Sequence, residues 1–192
     1  MSFLLNPYLY VYAAPVIYPE DSSFVHIETA ILTSNASSID FTSIPGTYRN
    51  LQLRTLLRST RSSSIDDYVG IRFNGSSTTY TRQMIQSRTH ATVAGVVYDS
   101  STYGYMNGFA TATSASSNIY GVGVIDIPEY TSTTVRKSFS GFGGNEQGSA
   151  GGFIHVTTAH WPVASAITSI SLICYAQFVA GSTVSLYGIR GT

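Results

Sequence analysis

The sequence predicts an all-β chain, a jelly-roll β-sandwich with an extended N-terminal arm. Three observations lead there. Apolar and polar residues alternate in several short runs, a period of two that marks strands with one buried face. Gly, Asn and Ser punctuate these runs at close intervals, as turns require. Only 10% of the residues are charged, against roughly a quarter in an ordinary soluble domain. The polar surface is therefore Ser, Thr, Tyr and Asn. At 192 residues the chain holds one well-cored domain and a tail, while two full domains would be tight.

The first 22 or so residues differ from the rest. They contain Pro7, Pro15 and Pro19 together with Tyr8, Tyr10, Tyr12 and Tyr18. Proline at this spacing forbids a helix and favours extended backbone. Tyrosines carry too much apolar surface for a solvated tail, so the arm either folds back on its own domain or, the reading preferred, docks on a neighbouring protein. No basic region precedes the apolar opening, and Asn6-Pro7 interrupts it, so it does not read as a secretion signal. No stretch approaches the length of a membrane span, and the chain reads as soluble and as keeping its first residues. Residues 1–35 are assigned to arm and linker, and 36–192 to the sandwich, although the β pattern already begins at Phe24.

Within the body, Leu51, Leu53, Thr55 and Leu57 share one face, opposite Gln52, Arg54 and Arg58. Val69, Ile71 and Phe73 alternate with Tyr68, Gly70 and Arg72, and Asn74-Gly75 supplies a tight turn. One short helix is expected around Tyr80–Arg88. Ile119, Gly121, Gly123, Ile125 and Ile127 alternate with Tyr120, Val122, Val124 and Asp126, ending at Pro128. The glycine-rich stretch Gly141–Gly152 reads as an exposed loop. Ile170, Leu172 and Cys174 form another inward row, and Val184 and Leu186 a last one.

Little in the sequence suggests chemistry. Basic and acidic residues each number ten, so there is no electrostatic footprint for nucleic acid. All but one of the basic residues are Arg, which favours planar pairing over generic solubilisation. The single Cys174 rules out an intrachain disulfide and reads as a core thiol. His155 and His160 lie five apart on an expected strand and so face opposite ways. Asp66 and Asp67 sit between serines, as in a turn. Asp126 and Glu129 bracket Pro128, too few oxygens for a hard cation. No nucleophile elbow occurs, and Gly141-Phe-Gly-Gly144 lacks the lysine of a phosphate loop. No catalytic residue, cofactor or metal ligand is assigned, and the chain is not expected to be an enzyme.

Several stretches taken in order resemble jelly-roll proteins of tailed-bacteriophage virions. They are Asn6-Pro7-Tyr8, Ile44-Pro-Gly-Thr-Tyr-Arg-Asn-Leu-Gln-Leu53, Ile71-Arg-Phe-Asn-Gly75 with Tyr80, Ile125-Asp-Ile-Pro-Glu-Tyr130, and Phe178–Ile189. The likeness is closest to capsid cement (decoration) proteins of cyanophage type, and related domains also occur in tail fibres. The resemblance implies a homotrimer on the outside of the head and no active site. On that reading the partners are the major capsid protein and further copies of the chain, with neither nucleic acid nor membrane, and the location is the capsid exterior. Phe3, Leu4, Pro7, Tyr8, Tyr10 and Tyr12 are then the expected capsid-binding anchors. The alternative is a tail-fibre or receptor-binding module that holds a host-surface glycan, with Trp161 near a loop end as a stacking residue.

Overall fold

The computed structural model describes residues 23–89, 93–147 and 151–191. Among these residues the chain is all-β, with twelve strands and no helix. The strands are β1 (Phe24–Ile31), β2 (Ala36–Phe41), β3 (Asn50–Arg58), β4 (Asp66–Phe73), β5 (Tyr80–Arg88) and β6 (Ala94–Ser101). They continue with β7 (Gly104–Thr111), β8 (Gly121–Ile127), β9 (Lys137–Asn145), β10 (Phe153–Trp161), β11 (Ile170–Phe178) and β12 (Thr183–Ile189). β1 lies inside the stretch assigned to arm and linker. It pairs antiparallel with β12 from Phe24↔Ile189 to Ile31↔Thr183, so residues 24–31 belong to the sheet.

Hydrogen bonding orders the strands β2-β11-β4-β7 and β1-β12-β3-β8-β9-β10-β5-β6. Two parallel pairs, Leu57↔Ala110 and Arg58↔Thr111, join the two series, helped by the bridge Ser59↔Phe178. Beyond that seam β7 packs across β8, β9, β10 and β5 without pairing to them. The result is a small sheet laid on a large one. From β2 to β12 the chain passes back and forth between the two, which fits a jelly roll whose large sheet includes the meander β8-β9-β10.

Both sheets feed one core. Leu51, Leu53, Leu57, Ile125, Ile127, Phe139, Trp161, Val184 and Leu186 of the large sheet meet Phe41, Val69, Ile71, Phe73, Met106, Phe109, Ile170, Leu172 and Phe178 of the small one. The alternation read in β3, β4, β8 and β12 thus gives the inward rows. Asn74 and Gly75 both take positive φ, 52° and 65°, the two-residue turn their sequence suggests. Asn74 also ties this corner to the start of β11, accepting from the amides of Thr168 and Ser169 and donating to the carbonyl of Ala166.

Two expectations are corrected. Residues 80–88 form strand β5, paired with β10 and β6. Tyr80 and Met84 are buried and Gln83 and Ile85 exposed, so two-sided pairing overrides the helix propensity of Arg, Gln and Met. The stretch 141–152 is not simply a loop, because Gly141–Asn145 is the end of β9 and Gly151 and Gly152 are buried. The glycines have a steric reason. A Cβ at Gly123, Gly141 or Gly143 would come within 3 Å of the Phe109 ring. Gly123 and Gly143 are register partners, and the three positions form a cradle for that ring.

Of the stretches quoted for the family resemblance, Asn6-Pro7-Tyr8 lies outside the described residues, while residues of the later ones meet at two corners of the sandwich. The Tyr130 hydroxyl donates to the Pro45 carbonyl. The Tyr48 ring covers Gly188, where a Cβ would not fit. Arg49 pairs with Glu129 at 2.6 Å, and the Asn50 side chain accepts from the Glu129 amide at 3.0 Å. At another corner the Phe73 amide donates to the Tyr80 hydroxyl at 3.0 Å. These residues knit loops to strands.

Candidate interaction surfaces

The residues with reactive side chains are dispersed. Among the described residues, no three of His, Cys, Asp and Glu converge to hold a metal ion. His155 faces the interior of β10 and is buried, while His160 on the opposite face is half-buried. Asp66 and Asp67 open β4 and are buried, not part of a turn. Asp66 pairs with Arg88. Asp67 accepts from the amides of Tyr68 and Ala176 and lies 3.5 Å from Arg61. Burial nevertheless holds the Asp67 carboxyl above the usual carboxylate range. Cys174 is half-buried against the core, and burial followed by the charge of Asp67 pushes its thiol up to about 12. A thiol so protonated is a poor nucleophile. Glu129 and Asp126 are engaged by Arg49 and Gln52.

His155 has a measurable consequence. Neither ring nitrogen has a hydrogen-bond partner among the described residues. Desolvation lowers its pKa from 6.5 to about 4, against the pull of Asp66 and with the push of Arg88 and Arg82. Above pH 6.5 the ring is neutral in both folded and unfolded chains. As pH falls from 6.5 towards 4 the unfolded chain takes a proton that the fold refuses, so stability drops. The loss over that window is about 3 kcal/mol, since refusing one proton costs roughly 1.4 kcal/mol for every pH unit crossed. Denaturant midpoints measured at both ends are expected to reveal the fall, and His155→Leu is expected to remove most of it. An unchanged pH dependence in that variant would refute the assignment.

The outer face of the large sheet is apolar in register. One row runs Leu56↔Val122↔Gly144↔Ile154, and the next runs Val124↔Phe142↔Val156↔Ile85. Leu56, Val122, Phe142, Ile154, Val156 and Ile85 are all exposed, Phe142 at 53%. At a strand spacing of about 4.8 Å this band is roughly 20 Å long. From β8 to β5 the two rows contain no charged residue; Arg54 of β3 stands at one end. At Gly144, which offers no side chain, a shallow depression opens beside Val122, Phe142, Phe153 and Ile154, with Glu146 and Ser87 also lining it. The next row, Gln52↔Asp126↔Ser140, is polar. An exposed apolar band this continuous is unusual on a monomer.

The outer face of the small sheet has different chemistry. Tyr68 of β4, Tyr105 of β7, Tyr175 of β11 and Tyr103 from the β6–β7 turn form one cluster. Tyr68 lies 4.6 Å from Tyr105, 6.0 Å from Tyr175 and 6.4 Å from Tyr103, centroid to centroid. Gly70 makes this possible, since a Cβ there would strike the Tyr103 ring. A guanidinium caps three of the rings: Arg61 over Tyr175 at 5.2 Å, Arg72 over Tyr103 at 5.3 Å and Arg82 over Tyr105 at 4.4 Å. Each such contact contributes about 0.5–1 kcal/mol where exposed. The Tyr105 hydroxyl donates to that of Tyr103 at 2.9 Å. Burial, reinforced by the neighbouring phenols, holds the Tyr68 and Tyr105 hydroxyls protonated well above neutral pH.

The expected anchors Phe3, Leu4, Pro7, Tyr8, Tyr10 and Tyr12 lie outside the described residues. Beside the start of β1, the Ser23 carbonyl accepts from the Arg190 amide. Trp161 does not stand at an exposed loop end. It is 2% exposed, stacks on Tyr80 inside the core and donates from its indole nitrogen towards Ser76 and Thr78, so it offers no face to a sugar. Neither of the two surfaces was named from the sequence. β8 and β10 did carry a signal, because Val122 and Val124, and Ile154 and Val156, stand at outward positions where a strand with one solvated face carries polar residues. No family model, curated protein or solved structure matches the chain.

Proposed function

We propose that the chain is a cement (decoration) protein of a tailed-phage head. It sits as a homotrimer on the outer surface of the major capsid protein shell and stabilises it. The observation that carries this reading is the uncharged apolar band on the large sheet, Leu56, Val122, Phe142, Val156, Ile154 and Ile85. Such a face favours burial against another copy, because copy–copy interfaces are the more hydrophobic kind. The charge-poor composition supports it too, since little repulsion keeps copies apart. The body acts by gripping, and many copies bridging neighbouring capsomers add modest energies into a stiffer shell. The N-terminal segment, with Phe3, Leu4, Pro7, Tyr8, Tyr10 and Tyr12, is the expected clasp on the capsid protein.

Two measurements on particles test it. Antibody raised to the protein is expected to label the heads of purified phage, and protein added back to stripped heads is expected to restore their resistance to osmotic shock. Deletion of residues 1–20 is expected to abolish rebinding. Label confined to the tail tip would favour the receptor-binding alternative and overturn the cement reading; full rebinding by the deletion would discard the clasp.

A further inference from the structure

We propose that the apolar band of the large sheet is filled by residues 13–19 of a neighbouring copy, so that exchanged N-terminal segments close the trimer. The inference rests on the assembly reading, which buries the band against another copy, and names what that copy supplies. Symmetry sets the requirement. A patch that meets itself closes a two-fold dimer, whereas each contact in a ring of three joins two different surfaces. The band therefore needs an apolar complement elsewhere in the chain. The described residues hold no second band of this kind. Apart from Val93, which adjoins Ile85, their other exposed large apolar side chains are Ile31 on β1, Val135 between β8 and β9, and Tyr175 on β11.

The stretch Ala13-Ala-Pro-Val-Ile-Tyr-Pro19 has the required chemistry. No charged residue precedes Glu20, so no ion has to be desolvated against Val122 and Phe142. Pro15 and Pro19 lack an amide N–H, which lowers the cost of laying backbone on an apolar surface. Extended, residues 13–19 span about 23 Å, matching the roughly 20 Å length of the band. Tyr18 suits the depression at Gly144, which is apolar at Val122, Phe153 and Ile154 and polar at Ser87 and Glu146, since a tyrosine presents an apolar body and a polar tip. The exit point favours exchange. The Ser23 carbonyl accepts from the Arg190 amide where β1 forms the edge of the large sheet. To cover its own band the segment would double back over β12 and β3, past Arg54, whose guanidinium lies 5.2 and 5.5 Å from the Phe24 and Tyr187 ring centroids. Residues 3–12 remain for the capsid.

Oxidation of the intact Tyr18→Cys/Val122→Cys protein tests the exchange on a non-reducing denaturing gel. The expected product is a ladder of two and three linked chains, absent from either single variant, each of which still holds Cys174. A link closed within one chain, or no link, overturns the inference. Tyr18→Asp is the second variant. It is expected to sediment as one chain under conditions where the native protein sediments as three, with its circular dichroism unchanged. A native trimer that Tyr18→Asp leaves intact sinks this inference alone and leaves the assembly reading standing. A native dimer would mean that the band meets itself, and a native monomer that it meets no copy; either result overturns the trimer and the exchange together.

Discussion

Gly123→Ala is expected to destabilise the fold by about 3 kcal/mol, at the upper end for a single added methyl group in a packed core. The new Cβ would lie within 3 Å of two atoms of the Phe109 ring and of the Thr55 hydroxyl. Phe109 has nowhere to retreat, since it is fully buried and its other edge rests on Gly143 and Gly141. The distinguishing test is a double-mutant cycle. Phe109→Ala alone removes a large core side chain and costs about 3–5 kcal/mol. With the ring gone the Gly123 methyl has space, so the pair is expected to be less destabilised than the sum by at least about 1 kcal/mol. Urea midpoints of the four proteins measure this. Strict additivity would mean that the ring is not seated on the glycines.

Arg58→Met is expected to cost about 2–4 kcal/mol, although the replacement is apolar and of similar length. Arg58 ends β3 at the seam between the sheets and is 8% exposed. Its guanidinium donates to the carbonyls of Ser116 and Ile119 at 2.9 and 2.7 Å and to that of Ala115 at 3.2 Å. No carboxylate pairs with it among the described residues. The cation therefore organises the β7–β8 loop through backbone dipoles. Removing it strands acceptors that each cost about 1–3 kcal/mol when left unmet, offset in part by relief of a buried charge. Unfolding curves, together with proteolysis at residues 112–120, check it: the loop is expected to be cleaved first. A loss below about 1 kcal/mol with an intact loop would refute the role.

The sequence exposes some of this architecture and hides the rest for physical reasons. The rows of β3, β4 and β12 are legible because each strand has one apolar and one polar face. β5 is not, because Tyr80 and Met84 stand four apart, a spacing shared by one helix face and one strand face, and Arg, Gln and Met tip local propensity towards helix. The glycines of β9 look like a loop until Phe109, over thirty residues earlier, is seen above them. Trp161 reads as exposed only while its neighbours Phe73 and Tyr80 are unknown. The tyrosine–arginine face is assembled from β4, β7, β11 and a turn, so no local window contains it.

Sedimentation equilibrium of the intact protein is the most direct test of the central claim, that an uncharged sheet face joins copies of this chain. The expected result is three times the chain mass for the native protein and a single chain mass for Phe142→Asp, whose charge lands in the middle of the band on a side chain 53% exposed, with the fold retained by circular dichroism. A native protein that stays monomeric at the highest soluble concentration, or a trimer indifferent to Phe142→Asp, would contradict it.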